Sequence, residues 1–155
     1  MSPRQRVRRA NVEVDDNTLI PEMIQRLRGL VENEVHIGME GGGELALIAA
    51  VHEFGSAKMN IPARSYIGTA KKKAQAAISK AVRAGVTEIA LGTRDPTSLL
   101  QQLGEIGLDK TLKNFDRIKQ PPLSPIYASR KRGRKLLVSD RDLRGSIVFK
   151  VVAKS

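Results

Sequence analysis

Apolar residues recur at helical spacing over Leu19–Glu32, where Ile20, Met23, Ile24, Leu27, Leu30 and Val31 share one side. Asn17 or Thr18 is placed to cap that helix, and Pro21 suits its first turn. Val35–Met39 (VHIGM) alternates like a short strand, and Gly41-Gly42-Gly43 breaks the pattern behind it. Glu44–Phe54 reads as a second helix closed by Gly55. Ser56–Pro62 reads as a loop.

The next stretch, Ala63–Ala90, predicts a long helix. Alanines at 70, 74, 76, 77, 81 and 84 give it high propensity and let a neighbour approach closely. Tyr66, Ile67, Ala70, Ala74, Ala77, Ile78, Ala81 and Val82 form its apolar stripe, while Gly85 leaves room for two helices instead of one. A further helix over Thr97–Ile118 follows, with Thr93 or Asp95 as its cap and Pro96 at its first position. Its core candidates are Leu99, Leu100, Leu103, Ile106, Leu112 and Phe115. Pro121, Pro122 and Pro125 then stop helix formation. Leu136–Val138 is a short apolar run, Asp140–Arg144 a turn or one helical turn, and Ser146–Ala153 the clearest strand, rich in β-branched residues. The pattern predicts an α+β fold: several helices, one of them long and Ala-rich, packed on a small antiparallel sheet.

Charge sharpens this picture. The 155 residues carry a formal net charge of +11, with 27 Lys+Arg against 16 Asp+Glu. A chain of this length fits one domain, expected over 12–155, behind a flexible basic arm over 1–11 that holds Arg4, Arg6, Arg8 and Arg9. Phe54–Thr87 contains seven cations and no acid, whereas Val12–Glu53 holds nine carboxylates against Arg26 and Arg28. A split of this kind gives two faces of opposite potential. Arg130, Lys131, Arg132, Arg134 and Lys135 form a third basic cluster. Polyanion contact follows from three such clusters, and without a zinc finger or a clear helix-turn-helix it would be blind to sequence.

Candidate chemistry is sparse. With no cysteine, the chain has no disulfide framework, thiolate catalysis or Cys-based zinc site. His36 and His52 lack HExxH spacing, the triple glycine lacks a phosphate-loop pattern, and no serine sits in a GxSxG context. A metal-dependent nuclease needs a carboxylate cluster, and the close Asp pairs Asp15-Asp16 and Asp140/Asp142 are too little to build one. No enzyme, metal or cofactor is expected. No apolar run reaches the roughly 18–20 residues of a membrane span, so no membrane partner is expected.

Two segments carry a more specific signal. The first is His52-Glu53-Phe54-Gly55, a short polar loop, then Ile61-Pro62-Ala63-Arg64 and Tyr66 opening a helix. The second is Leu137-Val138, Asp140, Leu143-Arg144 and Ser146-Ile147 ahead of the last strand. In this order they resemble the head–tail joining (neck, tail-completion, minor tail or virion morphogenesis) proteins of bacteriophages. Ser65-Tyr66 stands where that family usually has Pro-Phe, and Arg141-Asp142 replaces its usual glycine-containing pair.

The resemblance implies a structural virion protein that forms a ring in the neck, coupling the DNA-filled head to the tail. The partners it implies are further copies of the chain in a hexameric ring, a head-closure or connector protein, a tail terminator or tail tube, and genomic DNA in the lumen. The implied location is the virion neck, with the host cytoplasm during assembly. Two alternatives stay open: a tail-terminator subunit capping the tail tube, and a nonspecific DNA-binding protein.

Physical reading gives the first motif definite roles. Pro62 fixes the direction in which the loop enters the helix. Phe54 and Tyr66 are expected as buried anchors on either side, with Gly55 at the turn. Arg64 near a helix start needs an acid, and Glu53 or a neighbouring copy's carboxylate is its expected partner. Arg4, Arg6, Arg8, Arg9 and the Arg130–Lys135 cluster are expected to touch DNA or a neighbouring ring, and opposite charges to meet at each ring seam.

Overall fold

The computed structural model describes residues 18–130, 137 and 142–154. Its element order is α1 (Ile20–Val31), β1 (Asn33–Met39), α2 (Gly43–Phe54), α3 (Ile67–Ala90), α4 (Pro96–Arg117), α5 (Pro125–Arg130), α6 (Asp142–Gly145) and β2 (Ile147–Ala153). The chain is α+β: helices packed on a two-stranded antiparallel sheet, as the pattern predicts. β1 and β2 pair from Asn33↔Ala153 to Met39↔Ile147. The N-terminal arm, Lys131, Arg132, Arg134 and Lys135 lie outside the described residues.

Small residues set the layering. α4 lies directly on the sheet, because Gly104 lets the Phe149 ring sit against the helix backbone and Gly107 does the same for Ile37. α3 also packs on α4, antiparallel to it, brought close where Gly85 receives the Leu99 side chain at one end and Asn114 reaches Tyr66 and Thr69 at the other. Gly85 therefore does not divide α3; the helix runs unbroken for 24 residues. Ala70 and Ala74 of its apolar stripe are buried, and so is Ile89 beyond the stripe. The α4 core positions Leu99, Leu100 and Phe115 are buried as expected.

Several boundaries differ from the sequence reading, each for a local reason. α1 takes Leu19 as its N-cap without a side-chain cap bond, in place of Thr18, while Asn17 lies outside the described residues. β1 starts at Asn33, whose amide reaches back to the Gly29 carbonyl at 2.8 Å and ties the strand to α1. α2 starts inside the glycine run, at Gly43. Asp95, not Thr93, caps α4 by accepting from Ser98 N at 3.0 Å. Pro125 does not only stop helix formation: it opens the short α5, the first-turn role open to proline. α3 begins at Ile67 instead of Ala63, since the backbone before it is engaged elsewhere. Arg64 N donates to the His52 carbonyl at 2.7 Å.

The main core joins both sequence motifs. Ala49, Tyr66, Phe115, Leu137, Leu143 and Ile147 form one buried cluster. Leu143 and Ile147 of the second motif thus pack beside Tyr66 of the first, some eighty residues away in sequence. Arg144 adds a forked ion pair to Asp116 at the end of α4, with Nη2 3.0 Å from Oδ2 and Nε 3.1 Å from Oδ1.

Candidate functional site

The site forms where α2 ends and α3 begins. α2 closes on Gly55 at φ 78°, where a Cβ would lie 2.8 Å from Ala63 N and 2.9 Å from the Ile61 carbonyl, so only glycine fits. The following loop is a tight excursion: Ser56 N donates to Ile61 O at 2.8 Å and Ile61 N returns to Ser56 O at 2.9 Å. Asn60 takes φ 51° at its tip, a left-handed conformation that asparagine tolerates. Pro62 then sends the chain back alongside α2.

Glu53 is the hub of this junction. Its carboxylate accepts from Ser65 Oγ at 2.6 Å, Tyr66 N at 2.8 Å, Gly68 N at 2.9 Å and Ile67 N at 3.0 Å. Three backbone donors at a helix start, unmatched within the helix, are thereby satisfied by one anion from another helix. Burial acts to raise the carboxyl pKa, but the four hydrogen bonds outweigh it and hold the group below its ordinary range. This geometry corrects the expected Glu53–Arg64 ion pair. Both carboxylate oxygens are taken up by the α3 amides and Ser65, and Arg64 finds its acceptors elsewhere.

Arg64 takes a different partner set. Its side chain is buried, with Nε donating to the Pro121 carbonyl at 2.8 Å and Nη2 to the Pro122 carbonyl at 2.9 Å. Burial draws its pKa below the ordinary value. Prolines donate no backbone hydrogen bond, yet their carbonyls remain good acceptors, and Arg64 uses both to clamp the 121–123 segment against the loop.

Tyr66 is fully buried, as expected of an anchor. Its ring meets Phe115 edge-on at 5.2 Å and 88°, and its hydroxyl donates to Met39 Sδ at 3.2 Å. Burial first, and then the Glu53 charge, push its pKa up to about 12. Phe54 corrects the companion expectation, for it is 80% exposed. Adjacent helical residues point about 100° apart, so aiming Glu53 at α3 turns Phe54 outward.

Asn114 completes the junction and was not singled out by sequence reasoning. Its Nδ2 donates to Tyr66 O at 2.8 Å and Thr69 Oγ1 at 2.7 Å, while Oδ1 accepts from Lys73 Nζ at 2.6 Å. Thr69 Oγ1 in turn donates to Ser65 O. The available signal was a polar residue next to Phe115 on the apolar side of α4.

Beside this junction opens a groove of about 660 Å³. α2 lines it with Leu47, Ile48 and Val51, the loop with Met59, Ile61 and Pro62, and the 122–124 segment and Leu137 close it. Among the six predicted anchor residues, Pro62 and Arg64 face this groove, Glu53, Gly55 and Tyr66 build its frame, and Phe54 projects to solvent nearby. α2 is apolar around much of its circumference, yet Ala49 is its one buried residue; Leu47 is 65% exposed. α1 carries a second apolar strip, with Leu19, Ile20, Ile24 and Val31 exposed. The arrangement suits burial of apolar side chains from a partner. Arg130, the described member of the third basic cluster, is exposed at the end of α5. No protein-family profile, curated protein or solved structure matches this chain.

Proposed function

We propose that this chain is a structural subunit of a closed ring in the neck of a bacteriophage particle, where it joins the DNA-filled head to the tail. The observation that carries the reading is a pair of distinct exposed apolar patches: the α2 groove with Phe54 beside it, and the outer strip of α1. A heterologous ring needs two different surfaces, one on each side of every protomer, that meet the next copy head to tail. Apolar area left in water at two places supports that reading over a two-fold dimer, which needs one patch only. The order of the two sequence motifs, which share a core, supplies the phage context. Glu53, Arg64 and Tyr66 act as positioning residues that hold α2 and its loop rigid, so a neighbouring copy meets a preformed surface.

Genetic complementation tests this. A phage lacking the chain should accumulate filled heads and separate tails, and plasmid-borne wild type should restore joined particles. Phe54→Asp should fail to restore them while leaving the isolated protein folded, with a melting temperature within about 2 °C of wild type, because an exposed side chain contributes little to the fold. Normal particles without the chain would overturn the reading. Tails of uncontrolled length on joined particles would move the protein to the tail-terminator position.

A further inference from the structure

We infer that the outward face of α3 is a docking surface for the phosphate backbone of duplex DNA, bound without regard to base sequence. The inference extends the ring reading without depending on it. Lys72, Lys80 and Arg83 are exposed on α3. At about 100° per residue they fall within an arc of roughly 80°, opposite the side buried on α4. Lys72 to Arg83 spans about 17 Å of helix, close to half of one turn of duplex. Between them stand Ala76 and Ser79, both exposed and small, so a sugar-phosphate chain can approach without steric obstruction.

Two further observations select a polyanion as the occupant. Among the described residues none of these three side chains enters an ion pair, and the first acid on α3, Glu88, lies 3.2 Å from Arg94. Four of the acids that could face them from another copy are already engaged within the chain. Glu22 pairs with Arg26, Glu40 with Lys150 at 2.7 Å, Glu34 sits 3.1 Å from His36, and Glu53 serves the α3 amides. Glu32 and Glu44 of the acidic segment are exposed and enter no ion pair among the described residues, so a second copy is the competing occupant of this face and the test below separates the two. The absence of aromatic residues in α3 argues against single strands, which bind by stacking. A membrane surface would call for large apolar side chains flanking the cations, and this face presents alanine and serine instead.

Fluorescence anisotropy with a labelled duplex of about 30 base pairs and the isolated full chain provides the test. Three phosphate contacts at about 0.9 each predict that α3 contributes about 2.7 to the slope of log affinity on log salt. Lys72→Gln/Lys80→Gln/Arg83→Gln should therefore lose about 2.7 of that slope and bind more than about 40-fold more weakly at about 50 mM NaCl, a deficit that shrinks about 40-fold by about 200 mM. Arg117→Gln/Lys119→Gln/Lys154→Gln removes the same charge from exposed positions elsewhere, and should change affinity less than about threefold. Equal losses in the two variants, or unchanged binding in the first, would overturn the inference. So would an α3 variant that keeps its DNA affinity but loses self-association by native mass, for the face would then be a seam between copies. A chain that binds as predicted yet never enters a particle would overturn the neck reading and leave this one standing.

Discussion

Replacing Glu53 by alanine should lower the melting temperature by about 10 °C, the largest loss expected from any single polar side chain here. The carboxylate serves four donors at 2.6–3.0 Å, three of them backbone amides at the start of α3. Hydrogen bonds to a charged group contribute about 1.5–3 kcal/mol, and donors left unmatched in a half-buried position add a desolvation cost. Some of the amides will recover water, so a net loss of about 3 kcal/mol is the reasonable expectation, at 2–4 °C per kcal/mol for a chain of this size. Glu53→Gln keeps one acceptor oxygen and should lose about half as much. A scan showing the alanine variant as stable as wild type would mean that α3 starts equally well without the anion.

The same residue sets a pH dependence whose sign follows from its lowered pKa. A carboxyl with a folded-state value below its unfolded value stabilises the fold fully above the unfolded value, near 4.3, and loses that contribution as pH falls through the folded value. Wild type should therefore lose stability in acid more steeply than Glu53→Gln, and the two denaturation curves should converge as pH drops below about 4. Parallel curves would assign the acid sensitivity to other carboxylates.

Helices and strands were legible in the chain because their periodicity is local. The Ala70/Ala74/Ile78 stripe of α3, the Pro96 start of α4 and the β-branched run at the C-terminus each declare an element without reference to any neighbour. The junction was legible only in part. The motif that carries the family resemblance marks Glu53, Gly55, Arg64 and Tyr66 as a set, yet charge alone pairs Arg64 with the acid nearest to it in the chain, Glu53. Folding pairs each with backbone groups instead: an anion with helix amides, a cation with proline carbonyls some fifty-seven residues away. Backbone donors and acceptors carry no sequence signature, so their claim on a charged side chain emerges only once the helices are placed. Phe54 shows the same blindness. An aromatic at a helix end reads as core until the rotation of α2 is known, and that rotation is set by where Glu53 must point.

Close packing of α4 on the sheet yields the last expectation, a contrast between two glycines three residues apart. A Cβ at position 104 would lie 2.1, 2.4 and 2.8 Å from three atoms of the Phe149 ring. A Cβ at 107 would lie 2.1 Å from Ile37 Cδ1 but no closer than 3.5 Å to any other atom nearby. The terminal methyl of an isoleucine can rotate away; a ring held between helix and strand moves as one body or takes the strand with it. Helix propensity favours alanine over glycine by about 1 kcal/mol at both sites. Overpacking costs about 1–3 kcal/mol, at the upper end where the obstacle is rigid. Gly107→Ala should therefore be nearly neutral, while Gly104→Ala should lose about 2 kcal/mol and about 5 °C in melting temperature. Combining Gly104→Ala with Phe149→Leu removes the obstacle, so the pair should be more stable than the sum of the single changes by about 1–2 kcal/mol. Additive losses would show that α4 does not rest on the sheet through this ring, and the packing of helix on strand would have to be drawn differently.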